Sequence, residues 1–117
     1  VGGGDPEGSI APAAAAEAVT TDLPEGVGED FWPETYDPAV GDEYELVTDA
    51  APFAMPRRLA AVEGIFTGGS GGMAVEGALR VARRRPDDLV VALLPDSGRN
   101  YISKIFNDDW MREKGFL

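Results

Sequence analysis

Leu89-Val90-Val91-Ala92-Leu93-Leu94 is an unbroken apolar run of strand length. Such a run has to hide both faces from water, which a strand does inside a parallel sheet covered by helices on either side. It therefore predicts an α/β fold. Pro86-Asp87-Asp88 ends the segment before it, and Pro95-Asp96-Ser97-Gly98-Arg99-Asn100 leaves its carboxyl end as a polar loop. That end of the strands is where open α/β sheets bind their ligands.

A second stretch repeats the arrangement. Gly64-Ile65-Phe66-Thr67 reads as a short strand, Gly68-Gly69-Ser70-Gly71-Gly72 as a loop, and Met73 to Arg80 as an amphipathic helix. Backbone N–H groups and the positive end of a helix dipole then face the loop mouth, which suits a phosphate, a carboxylate or another electron-rich group. Glycine loops between strand and helix also often do no more than make the turn. The helix is expected over residues 71–85, with Ala74, Val75, Gly77, Ala78, Val81 and Ala82 on its inner side and Glu76, Arg80 and Arg83 on the other. Small inner residues suit close packing on a sheet.

Upstream, Tyr44-Glu45-Leu46-Val47 predicts a strand, and Asp49 is the expected N-cap of a helix from Ala50 to Val62. Pro52 is tolerable in its first turn, whereas Pro56 predicts a kink or break near Met55. Downstream, residues 101–106 are expected to be helical, with Asn107 or Asp108 capping a last turn that Gly115 ends. Near the start, Asp5-Pro6-Glu7-Gly8-Ser9 reads as a turn closing a strand, and residues 11–18 as a marginal surface helix or coil. The proline-, glycine- and acid-rich segment 21–41 carries Phe31, Trp32 and Tyr36, which points to packing back onto a core more than to substrate contact. Strand and helix alternate from Tyr44 onward, so right-handed crossovers bring the loops after Thr67 and after Leu94 to one edge of the sheet.

Composition narrows the chemistry. The chain of 117 residues contains no cysteine and no histidine, which excludes Cys/His zinc sites, disulfides, thiolate catalysis and a Ser-His-Asp triad. Ten basic against twenty-one acidic residues give a formal charge of −11, which argues against nucleic acid as a partner. The Asp42-Glu43-Glu45 cluster lacks calcium-loop spacing and reads as a solvated surface, and Arg83-Arg84-Arg85 as cations at a helix C-terminus. No apolar run approaches a membrane span and no signal-peptide pattern stands at the N-terminus, so a cytoplasmic location without membrane association is expected. The chain begins with Val1, as a processed product or a piece of something longer would.

Four blocks in fixed order carry a resemblance: Asp5 to Ser9, Glu25 to Pro33, Glu63 to Ser70, and Leu94 to Tyr101 continuing through Trp110-Met111 and Gly115-Phe116-Leu117. Together they resemble the C-terminal part of the catalytic core of cystathionine β-synthase, with the cysteine synthases as close relatives. The resemblance implies a tryptophan synthase β-like fold: a partial three-layer α/β domain with a mostly parallel sheet and its N-terminal half absent, loop-rich over 1–43 and βαβαβα over 44–117. It implies pyridoxal 5′-phosphate as cofactor and serine or O-acetylserine plus homocysteine or sulfide as substrates, joined through an aminoacrylate. The complete enzyme is expected to be a homodimer.

Position by position, Ser70 matches the residue whose hydroxyl meets the cofactor's pyridine nitrogen, with Gly69 beside it. Gly26, Val27 and Gly28 match a segment lining the ring and entrance, and Pro95, Asp96 and Ser97 a loop beside the pyridine end. The Schiff-base lysine and the phosphate cradle have no counterpart, since neither Lys104 nor Lys114 matches the cofactor lysine. No catalytic residue and no metal ligand is assigned. The chain alone is expected to be inactive, not to bond the cofactor covalently, and to associate through the apolar edge that a truncated sheet exposes. A non-catalytic α/β module that binds or complements a partner, or a degenerate copy, is the alternative. Gly71, Pro56 and residues 11–18 depart from the family's pattern. Ser70 also reads as an ordinary helix N-cap, and Asp96 as an ordinary turn residue.

Overall fold

A computed structural model of the chain describes residues 2–6, 34, 37 and 39–117. The expected helix or coil at 11–18, the Gly26-Val27-Gly28 segment, and Phe31, Trp32 and Tyr36 lie outside the described residues. Two strands pair in parallel, β1 (Gly2–Pro6) and β2 (Glu43–Val47), in a register running from Gly2 opposite Glu43 to Pro6 opposite Val47. Three helices follow, α1 (Ala51–Val62), α2 (Gly69–Arg84) and α3 (Asp108–Glu113), with a single 3₁₀ turn at Gly98–Tyr101 before the last. Helix α2 packs against both strands, and α1 packs against α2. Among the described residues no helix is long and apolar enough to cross a membrane.

The contact between α1 and α2 follows from four small or ring-bearing residues. Pro56 has no N–H to offer the carbonyl of Pro52, four residues earlier, so that carbonyl is released from the helical ladder. It comes to lie against Gly69, where an added Cβ would stand 3.3 Å from the oxygen. One turn further on, a Cβ at Gly72 would run into the Pro56 ring. Pro52 and Pro56 are both buried here, and α1 runs unbroken through Pro56. Of the expected kink or break near Met55, the break does not occur, and the proline ring is received by the side of the neighbouring helix that carries Gly72.

A second cluster closes the far side. Phe53, Ile105 and Met111 are buried together, with Tyr101, Phe106, Trp110 and Phe116 packed around them. The Phe53 and Phe116 rings stack at 4.1 Å between centroids. This brings the C-terminal segment back onto the first turn of α1. Asn107 caps α3, accepting from the N–H groups of Asp109 and Trp110, and Gly115 ends it at φ +79°. Asp108 and Asp109 are in the first turn of that helix, where they pair with Arg57 and Arg112.

Several expectations are corrected. Residues 65–67 and 89–94 enter no sheet ladder among the described residues. Leu89, Val91 and Leu93 are 92%, 82% and 80% exposed, while Val90, Ala92 and Leu94 between them are half-buried. That alternation is the signature of an extended segment with one covered and one open face, not of a strand covered on both. Residues 102–106 form turns after the 3₁₀ turn and do not continue as a helix. Asp49 does not cap α1; Ala50 holds that position without a side-chain bond, because a tight turn from Thr48 to Ala51 precedes the helix. Helix α2 starts at Gly69 with Gly68 as its cap, so Ser70 is not the N-cap.

The acidic cluster is a seam, not a freely solvated surface. Arg84 bonds Glu45, Arg85 pairs with Glu43 at 3.2 Å, and Arg80 donates to the Leu46 carbonyl at 2.7 Å while holding Glu76 at 3.2 Å. The end of α2 is thereby fastened to β2. The hydrogen bond from Arg84 holds the Glu45 carboxyl below its usual value, with partial burial opposing the effect and the charges of Arg84 and Arg80 adding to it.

Two predictions follow from this packing. Gly72→Ala is expected to destabilise the fold by about 1–3 kcal/mol, because the obstacle is a ring built into a helix backbone and cannot rotate away. Urea unfolding measures it, and an unchanged midpoint would contradict the crossing described. Since the folded pKa of Glu45 is lowered, its contribution is present above the unfolded value near 4.5 and is lost as pH falls through the folded value. Glu45→Gln should therefore flatten the acid limb of the stability profile below that pH. An unaltered slope would mean the seam contributes nothing.

Candidate functional site

The two polar loops meet, although the segments that lead into them enter no sheet ladder among the described residues. Thr67 is buried, and its hydroxyl donates to the Asp96 carbonyl at 3.2 Å. The Gly98 N–H donates to the Phe66 carbonyl at 3.2 Å. The Asp96 carboxylate is divided between two donors: Oδ1 accepts from the Gly68 N–H at 3.2 Å, and Oδ2 from the Tyr101 hydroxyl at 2.7 Å. A carboxylate at the first residues of α2 also faces the positive end of the helix dipole. Asp96 is thus more than a turn residue. It joins the end of the apolar segment to the start of α2.

The glycines of this loop are accounted for internally. A Cβ at Gly68 would collide with the Asp96 carboxylate and the Tyr101 ring, and one at Gly71 with the Thr67 hydroxyl. Gly69 and Gly72 are occupied by the contact with Pro52 and Pro56 described above. At Gly71, the departure from the family's pattern, a Cβ would meet the Thr67 side chain as it stands here. At Gly68, Gly71 and Gly72 the protein's own neighbours occupy the place of a Cβ, while at Gly69 the approach is tight but open.

Ser70 is the exception. It is the second residue of α2, half-buried, and its hydroxyl has no hydrogen-bond partner among the described residues. The N–H groups of the first turn also lack intrahelical acceptors, as at any helix start. A neutral hydroxyl beside these groups is chemically fit to meet the nitrogen of a pyridine ring, which needs a single uncharged donor. The structure brings Gly69, Ser70 and Asp96 to one place, with Pro95 exposed at the adjoining bend. Gly26, Val27 and Gly28 are not among the described residues, so their relation to this place stands as an expectation.

The donor set fits only part of a pyridoxal phosphate site. Lys114 is at the far C-terminal end, its ammonium 6.0 Å from the centre of the Trp110 ring. Lys104 lies in the turns after the 3₁₀ turn. Sequence reasoning singled out Ser70 and Asp96 and left out Tyr101 and Thr67, whose hydroxyls both bond Asp96. The signal available for Tyr101 was its spacing of five residues from Asp96 across a proline- and glycine-bearing loop, which is too common a pattern to single it out.

No family model matches the chain. It is 44% identical over 120 residues to the cystathionine beta-synthase of Oryctolagus cuniculus, covering 98% of this chain and 22% of that protein. The Dictyostelium discoideum cystathionine beta-synthase is 39% identical over 118 residues, covering 98% and 24%, and that of Saccharomyces cerevisiae 35% over 118 residues, covering 95% and 23%. The chain thus spans less than a quarter of the length of these curated relatives. Among solved structures, the O-acetylserine dependent cystathionine beta-synthase from Helicobacter pylori superposes with a TM-score of 0.72 at 34% identity, over 88% of this chain and 33% of that one. By sequence over nearly all of its residues and by fold, the chain is homologous to a segment of the cystathionine β-synthases.

Proposed function

We propose that this chain forms the pyridine-nitrogen side of the cofactor pocket in a pyridoxal-phosphate-dependent β-replacement enzyme, one that joins serine or O-acetylserine to homocysteine or sulfide. The observation that carries the reading is Ser70, the one side chain in a buried glycine run, whose hydroxyl has no hydrogen-bond partner among the described residues. Gly69 and the bend at Pro95 are its companions in the wall, Asp96 stands behind them with its carboxylate on Gly68 and Tyr101, and Gly26, Val27 and Gly28 line the ring from a segment earlier in the chain. Bound pyridoxal phosphate supplies the electron sink that lets the amino acid lose its β-substituent and accept a thiol.

The chain's own contribution is to the ring nitrogen. A serine hydroxyl donates to that nitrogen without giving up its proton, and the N-terminus of α2 disfavours added positive charge there. An unprotonated ring withdraws electrons less strongly, which favours β-replacement over transamination. The lysine that bonds the cofactor and the cradle that holds its phosphate belong to other parts of the enzyme in this reading. Residues 1–117 alone are then inactive, and the three-layer sheet is completed by strands beside the half-covered segment Leu89 to Leu94. The complete enzyme is a cytoplasmic homodimer of sulfur amino-acid metabolism, acting on small molecules, with no nucleic-acid or membrane partner.

One observation favours a second reading. The open row Leu89, Val91 and Leu93 is the kind of apolar surface that marks a protein contact, so the chain could serve as a complementing module without chemistry of its own. Ser70 separates the two. In the complete enzyme, Ser70→Asp should hold a proton on the ring nitrogen and lower the ratio of β-replacement to transamination by about tenfold or more, a change of about 1.4 kcal/mol in the difference between the two barriers. An unchanged ratio would sink the enzymatic reading.

A further inference from the structure

The position of Ser70 is not secured by Ser70 itself. Its side chain has no partner among the described residues, and its four glycine neighbours have no side chains with which to grip anything. What ties the start of α2 to the rest of the molecule on this side is the Asp96 carboxylate, bonded at once to the Gly68 N–H and the Tyr101 hydroxyl. We propose that Asp96 and Tyr101 act as a positioning pair that fixes the first turn of α2, so that Asp96 serves the pocket through Gly68 and Ser70 and not by touching the cofactor.

The geometry supports this in three ways. Both carboxylate oxygens already accept a hydrogen bond from the protein, which fixes the orientation of the carboxylate against Gly68 and Tyr101. Gly68 has room for the carboxylate and for the Tyr101 ring only because it lacks a Cβ, so clasp and glycine are matched to one another. Tyr101 in turn packs on the Phe53, Ile105 and Met111 cluster, which anchors the clasp to the C-terminal part of the chain. The bond from Thr67 to the Asp96 carbonyl acts as a second strap in the same direction. The proposal rests on the functional reading only for what Ser70 touches; the clasp itself can be tested without cofactor.

The experiment compares the wild type with Asp96→Ala, Asp96→Asn and Tyr101→Phe. Amide hydrogen exchange is followed at residues 67–72, with α3 as a remote reference. Asp96→Ala and Tyr101→Phe are expected to speed exchange at residues 67–72 by tenfold or more and to leave α3 unchanged, while Asp96→Asn, whose side-chain carbonyl can still accept from Gly68, stays within threefold of wild type. Equal acceleration in α3, or none at residues 67–72, would overturn the proposal, since the first marks general destabilisation and the second an idle clasp. Pyridoxal phosphate is then titrated into the same variants of the full-length protein. Binding weakened at least fivefold by Asp96→Ala and Tyr101→Phe, and restored by Asp96→Asn, supports positioning; equal affinity in all four overturns it. A wild type that takes up no pyridoxal phosphate would instead overturn the functional reading, and the exchange data would still decide the clasp.

Discussion

The fold depends on a close approach of two helices that only a particular pairing of residues permits. Pro56 cannot donate to the carbonyl of Pro52, and the ring and the freed carbonyl together make a surface that most helices could not approach. Gly69 and Gly72 can, because they lack a Cβ, which would run into the Pro56 ring at Gly72 and crowd the Pro52 carbonyl at Gly69. An interior proline that would ordinarily weaken α1 becomes the feature that seats α2. With α2 seated, its N-terminus falls beside the Asp96 bend, and its C-terminal arginines fall beside Glu43 and Glu45. The two ends are then held by different physics: hydrogen bonds to a carboxylate at one, exposed ion pairs at the other. Pairs as exposed as the latter contribute little individually, so the seam guides register more than it adds stability.

This arrangement alters what the glycine run means. Spacing alone allows a phosphate cradle, in which glycines are needed so that a ligand can approach the backbone. Here each glycine is needed so that something in the protein can: Asp96 and Tyr101 at Gly68, Pro52 at Gly69, Thr67 at Gly71, Pro56 at Gly72. Ser70 is left as the place where a partner from outside would complete the set. The site is accordingly narrow in what it offers, a single neutral hydroxyl at a positive helix end, and that narrowness suits a ring nitrogen better than an anion with several oxygens.

What the sequence made legible was mainly what short-range chemistry decides. The strand at residues 43–47, the two long helices, the Asn107 cap and the Gly115 stop all follow from a few neighbouring residues. The loops after Thr67 and Leu94 do meet, but the strands whose crossovers were expected to bring them together enter no sheet ladder among the described residues. The misreadings were at positions whose behaviour is set by a distant partner. Leu89 to Leu94 has the composition of a strand covered on both sides, yet its open face shows that composition records what a segment is suited to, and pairing depends on what stands beside it. Pro56 looked like a helix breaker because its compensation, Gly72, lies sixteen residues away. Glu43 and Glu45 looked solvated because Arg84 and Arg85 are about forty residues further along. The resemblance to the cystathionine β-synthases was legible for a different reason: it lies in the order of several blocks, and the comparisons with relatives bear it out.

The central claim is that Ser70 presents a neutral hydroxyl to an unprotonated ring nitrogen. The most direct measurement is the nitrogen-15 resonance of ring-labelled pyridoxal phosphate bound to the complete enzyme, with serine or alanine at position 70. The account predicts the downfield resonance of an unprotonated, hydrogen-bonded pyridine in the wild type, moving further toward that of the unbonded ring in Ser70→Ala. The upfield resonance of a pyridinium, or one indifferent to the residue at position 70, would contradict it.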